Sequence, residues 1–202
     1  MNMYSYKKKT SGFTVVELLV SLFIVSMIVV VLALFQTETF KKDRAFRARL
    51  VSIQEARLTL RRFLEEARSA SPSSTGAYPI SLAQADAFTL YSDVDGDAIK
   101  DRVRYFVSGG SLKKGVLKPT GSPLVYNQAN ERVFTQITKL ATTTNIFTYY
   151  DTNNATMTQP VSPSLVRSAR INLVVALDSQ YGATTTVLFE TRGTFRNLKD
   201  NY

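Results

Sequence analysis

From Phe13 to Phe35 the chain is apolar at almost every position. These 23 residues are interrupted only by Thr14, Glu17, Ser21 and Ser26. About 20 such residues suffice to cross a bilayer as a helix, so the pattern predicts a membrane span. No glycine or proline occurs from Phe13 to Ser71, and Pro72 is the first breaker. The helix is therefore predicted to continue to about Arg68 or Ala70, which would make it roughly 85 Å long. In its polar half, Phe46, Leu50, Ile53, Leu60, Leu64 and Ala67 recur at spacings of three and four, with Arg57 filling the gap. That is one apolar seam, suited to docking a helix on a sheet.

After the Ser/Pro/Gly-rich stretch at 69–76 the texture changes to short alternating runs divided by turns. Strands are predicted at Ala87–Ser92, Arg102–Ser108, Arg132–Leu140, Ile146–Tyr150, Ala169–Leu177 and Thr184–Thr191. The period of two is cleanest in Ile171, Leu173, Val175 and Leu177. The fold class is α+β: a long N-terminal helix, membrane-spanning in its first half, packed on a C-terminal antiparallel β-sheet domain. The expected division is a leader at 1–12, a transmembrane half-helix at 13–35, an amphipathic half-helix at 36–70 and a globular part at 71–202.

Charge sharpens this picture. Of a net charge of +9, Lys7 to Lys9 supply +3, and residues 41–68 hold nine basic against four acidic side chains. The excess thus flanks the apolar segment, where basic residues meet anionic lipid headgroups. A nucleic-acid surface is the weaker reading of the same charges. Lysines immediately before the span predict a cytoplasmic N-terminus and an exported remainder. A cleaved secretory signal would end in a small-x-small site. The run ends instead in Ala33-Leu34-Phe35-Gln36, which offers none.

Glu17 is the anomaly. A carboxylate inside a spanning helix costs roughly 2.5–3.5 kcal/mol at its centre and less near the interface. Such a group normally has a partner in an assembly. The stretch Lys7-Lys8-Lys9-Thr10-Ser11-Gly12, followed by Phe13-Thr14-Val15-Val16-Glu17-Leu18-Leu19, closely resembles the prepilin processing motif of type IV pilins and type II secretion pseudopilins. The resemblance implies cleavage after Gly12 by a membrane prepilin peptidase, N-methylation of the new terminal Phe13, and pairing of Glu17 with the terminal amine of a neighbouring subunit. Opposite charges in a low-dielectric setting attract far more than in water, so that pairing would also fix the axial register. Many major pilins carry a helix-loosening proline near the position of Leu34. This chain does not, and it looks closer to pseudopilins or minor subunits. Weaker similarities to J-type pseudopilins and W-type minor pilins lie at Phe88–Val107, Phe147–Asp151 and Arg170–Leu173.

One downstream motif could carry chemistry: Asp93-Val94-Asp95-Gly96-Asp97, with Asp101 close behind. Four carboxylates could ligate calcium through oxygen. The spacing is not that of an EF-hand, since the glycine stands fourth and the twelfth position is Arg104. The plainer reading is a hairpin turn with Asp-Gly chemistry at the bend, its acids neutralised by Lys100, Arg102 and Arg104. Asn154-Ala155-Thr156 fits a glycosylation acceptor, a pattern short enough to arise by chance.

There is no histidine and no cysteine. The usual nucleophile–base pairs and thiolate metal sites are therefore unavailable, and no enzyme is expected. Two function classes remain. One is a structural subunit that initiates or caps a filament, working with the peptidase, other pilins and inner-membrane lipid. The other is a binding module carried on that filament, an adhesin or DNA-uptake receptor, which would show a basic or aromatic patch on its globular part.

Overall fold

The computed structural model describes Gly12, residues 14–177 and residues 185–198. The chain divides into two compact units, Met1–Phe46 and Arg47–Tyr202. One helix, α1 (Val15–Ser69), contributes to both. Its end matches the sequence expectation, and its length follows from the uninterrupted absence of helix breakers. Just past it, the Ser71 amide donates to the Tyr91 carbonyl at 3.0 Å, which hands the chain to the sheet.

In the second unit, β1 (Ile80–Ala83), β2 (Ala87–Ser92), β3 (Asp101–Ser108), β4 (Ser111–Leu117) and β5 (Arg132–Ile137) form an antiparallel five-stranded meander in chain order. A second sheet holds β6 (Phe147–Tyr150), β7 (Ser168–Leu177) and β8 (Thr185–Thr194), with β7 in the middle. The architecture is α+β and pilin-like: a long helix with antiparallel sheets. Backbone bonds tie loops of the first sheet to the second, Phe147 N–H to Ala85 C=O at 2.9 Å between β1 and β2, and Ala141 N–H to Val174 C=O at 2.7 Å beyond β5.

The core forms where α1 meets both sheets. Phe63 is fully buried and packs edge-on against Phe88 and Tyr105, with ring centres 6.0 and 5.6 Å apart. It also touches Phe147 of the second sheet, at 6.2 Å. One aromatic side chain of α1 thus ties the two sheets together, and truncating it to alanine should cost about 3–5 kcal/mol. The helix comes close to β8 at Gly193, where an added Cβ would stand 2.9 Å from the Ala67 methyl. Only glycine fits that approach without a backbone shift.

Three details differ from the sequence reading. β1 and β4 are additional strands. The predicted Arg132–Leu140 strand stops at Ile137, and Leu140 makes only an isolated bridge to Val175. The docking face of α1 also overlaps the expected seam only in part. Of the expected seam, Ala67 is buried and Ile53 and Leu60 pack against the core, whereas Phe46 and Leu50 are exposed; Ala56, Thr59, Phe63 and Glu66 are buried beside it. Small and polar residues share the core-facing positions, so apolar spacing finds the later part of the seam but passes over Ala56, Thr59 and Glu66.

Candidate functional site: the start of the helix and the acidic turn

In the first unit, the apolar side chains of α1 from Val15 to Phe35 are exposed all round. The helix is long and apolar enough to cross a membrane. A helix apolar on every face is stable when its surroundings are lipid or other apolar helices.

The start of this helix is capped by its own acid. The Thr14 amide and hydroxyl both donate to Glu17 Oε2 at 3.0 Å, and the Glu17 amide donates back to Thr14 Oγ1 at 3.3 Å. This is a capping box, in which a threonine and a glutamate three residues on satisfy helix-end amides that have no partner inside the helix. The pattern Thr-x-x-Glu was legible in the sequence, and it adds Thr14 to the site. It also gives Glu17 a local role beside the expected one, because the carboxylate accepts the Thr14 backbone N–H at the positive end of the helix dipole. Ser21 and Ser26 return their hydroxyls to the Glu17 and Phe23 carbonyls, so neither leaves a polar group unsatisfied along the span.

Gly12 is exposed, and a Cβ added to it would meet nothing within 4 Å. Among the described residues nothing requires glycine there. Phe13 and the three lysines lie outside the described residues.

The acidic motif forms the loop between β2 and β3, whose last and first residues, Ser92 and Asp101, are paired. Asp93 organises the loop, accepting the Gly96 amide at 2.7 Å and the Ala98 amide at 2.9 Å. Gly96 and Ala98 both have positive φ, 80° and 68°. Asp97 accepts the Ile99 amide at 2.8 Å. The structure brings oxygens of Asp93, Asp95 and Asp97 within 4.8 Å of one another, while Asp101 is buried at the start of β3. Burial raises the Asp101 pKa, opposed by a bond from the Val94 amide.

Lysines neutralise this cluster. Lys118 bonds Asp95 at 2.8 Å and also pairs with Asp97, while Lys100 lies 3.7 Å from Asp93. The Lys118 hydrogen bond lowers the Asp97 pKa, and the two aspartates raise that of Lys118. Arg102 and Arg104, expected to help here, turn instead to Gln128 and Glu131. Lys118 takes their place, reaching in from beyond β4. With an ammonium bound to two of the three converging carboxylates, the residues fit a lysine-closed turn better than a divalent cation.

A second polar centre was not visible in the sequence. Glu66 of α1 is buried and forms an ion pair with buried Lys114 of β4, and Tyr105 of β3 donates to its other oxygen at 2.7 Å. Burial, then the Glu66 charge, pushes the Tyr105 phenol well above its ordinary pKa. Each charge is partnered, so the helix and sheet are joined in one relative register. An open cleft of about 680 Å³ lies beside this pair, lined in part by Arg62, Ser69 and Phe134.

Residues 7–33 match the family model described as the prokaryotic N-terminal methylation motif. The match supports a type IV pilin-like protein, and the motif implies processing by a prepilin peptidase and assembly with other pilins. That family is structural rather than enzymatic. Together with the apolar helix, the motif fits a membrane-anchored pilin. No curated protein matches the chain.

Proposed function

We propose that this chain is a minor pseudopilin or minor pilin, a structural subunit that helps initiate or cap a type IV pilus-like or type II secretion pseudopilus filament. The observation that carries the reading is the methylation motif placed at the start of a helix whose first half is apolar on every face. Before assembly, the subunit resides in the inner membrane as a single-pass protein with its N-terminus cytoplasmic. The prepilin peptidase cuts after Gly12, removing the three lysines, and methylates the amine of Phe13. Glu17 then meets the Phe13 amine of the next subunit. The weaker resemblance of Phe88–Val107, Phe147–Asp151 and Arg170–Leu173 to J-type pseudopilins and W-type minor pilins supports the minor role, as does the absence of a proline near Leu34.

The test is mass spectrometry of the protein recovered from assembled filaments. A mature chain that begins at methylated Phe13, and retention of the leader by Gly12→Val, are expected. An N-terminus elsewhere, or an intact leader in filaments, would overturn the proposal. A second reading is a filament-borne binding module, an adhesin or DNA-uptake receptor. The observation that favours it is that Arg170 of β7 stands opposite Arg192 of β8 on the second sheet.

A further inference from the structure

On the face of the second sheet turned away from α1, Arg170 of β7 stands directly opposite Arg192 of β8. Like charges paired across strands destabilise a sheet, so this arrangement calls for a compensating group. No carboxylate among the described residues supplies it. Glu190, one pair along on the same face and opposite Asn172, makes no ion pair with either arginine among the described residues. Asp151, in the adjoining loop, instead accepts the Asn153 and Ala155 amides at 2.9 and 2.8 Å.

The two guanidiniums are held in place. Arg192 lies over the buried Tyr150 ring at 3.7 Å from its centre, and Arg170 lies 5.7 Å from the same ring. Arg192 also donates through Nε to the buried Ser168 hydroxyl at 2.8 Å and is tied to the Asn154 side chain. The asparagine of the glycosylation pattern is thus engaged with an arginine. By contrast, the Arg170 Nε is buried and has no hydrogen-bond partner among the described residues. A buried donor left unpaired carries a full desolvation penalty.

We infer that Arg170 and Arg192 form a binding site for a phosphate group. Two planar forks from neighbouring strands, oriented by one tyrosine, suit an anion that can accept from both. A carboxylate has two oxygens, which a single fork saturates. A phosphate keeps further oxygens for the second fork. The ligand is a phosphate monoester, a free phosphate or the phosphodiester of a lipid headgroup. The inference stands on the globular unit alone and does not depend on the filament reading.

The experiment uses the full chain in detergent micelles, in phosphate-free buffer, followed by thermal unfolding. Inorganic phosphate should raise the Tm above that in sodium chloride of equal ionic strength, because a ligand of the folded state stabilises it by mass action. Glycerophosphoglycerol, the headgroup of phosphatidylglycerol, forms a second arm. A rise with inorganic phosphate assigns a free or monoester phosphate, and a rise with the headgroup alone assigns the lipid. Arg170→Gln should weaken binding about tenfold or more, the loss expected for a charged hydrogen-bonding partner. In phosphate-free buffer the same variant should not lower the Tm, since it relieves the like-charge pair. Arg192→Gln removes the structural bonds to Ser168 and Asn154 as well, so Arg170→Gln is the deciding variant. No rise in either arm, or a rise undiminished in Arg170→Gln, would overturn the inference.

Discussion

The Tyr105 hydroxyl donates to Glu66 Oε2 at 2.7 Å while Lys114 holds the other carboxylate oxygen, and all three side chains are buried between α1 and the first sheet. Removing one partner of such a pair leaves an uncompensated buried charge. Lys114→Met should therefore destabilise the fold by about 3–5 kcal/mol, and the double variant with Glu66→Gln should recover part of the loss. Tyr105→Phe should cost less, about 1–3 kcal/mol, because it removes one bond to a group that keeps its ion pair. Urea unfolding of the four proteins checks the ranking. A neutral Lys114→Met would mean that Glu66 reaches water.

The same geometry sets a dependence on alkali. Burial raises the Tyr105 and Tyr149 phenols well above the ordinary value of 10.0. In the unfolded chain these groups lose their protons near that value, while the folded chain keeps them. The stability they contribute is intact below pH 10 and falls as pH rises from there towards the folded-state pKa values. Tyr105→Phe should flatten that fall relative to the wild type, measured as Tm against pH. An unchanged slope would show that Tyr105 ionises freely in the fold.

Lys118 lies between Asp95 and Asp97, where a cation would compete with it. In the wild type, millimolar calcium should leave the Tm unchanged. Lys118→Ala leaves converging carboxylates unneutralised, and calcium should then raise the Tm by binding the folded state. A calcium-dependent rise already present in the wild type would show that the ion displaces the ammonium.

Much of the architecture was written plainly in the chain. The helix followed from an unbroken run without glycine or proline, and β7 from the alternation of Ile171, Leu173, Val175 and Leu177, all buried. β4 was hidden because Lys113, Lys114 and Gly115 interrupt any strand pattern. Lys114 is nevertheless inside, since Glu66 lies across from it. The same pairing placed a glutamate on the core face of α1, where an apolar count passes over it in favour of Leu50 and Phe46. β1 has only four residues and carries no pattern of its own. At the helix start, the basic leader, Gly12 and Glu17 were legible through the motif they resemble. The bonds between Thr14 and Glu17 needed the structure, although Thr-x-x-Glu was there to be read.

Those bonds supply the sharpest test of the central claim, that Glu17 serves assembly. The acid caps its own helix and is also proposed to meet the Phe13 amine of a neighbour. Thr14→Val disrupts the cap and keeps the carboxylate, at a helix cost of about 1 kcal/mol. Glu17→Val loses both functions, and an unpaired amine would be left in apolar surroundings. The measurement is crosslinked capture of filament partners by each variant, with membrane levels and leader removal followed in parallel. Insertion and processing should be normal for both, with near-normal capture by Thr14→Val and a severe loss with Glu17→Val. Undiminished capture by Glu17→Val, or an equal loss in Thr14→Val, would contradict that claim.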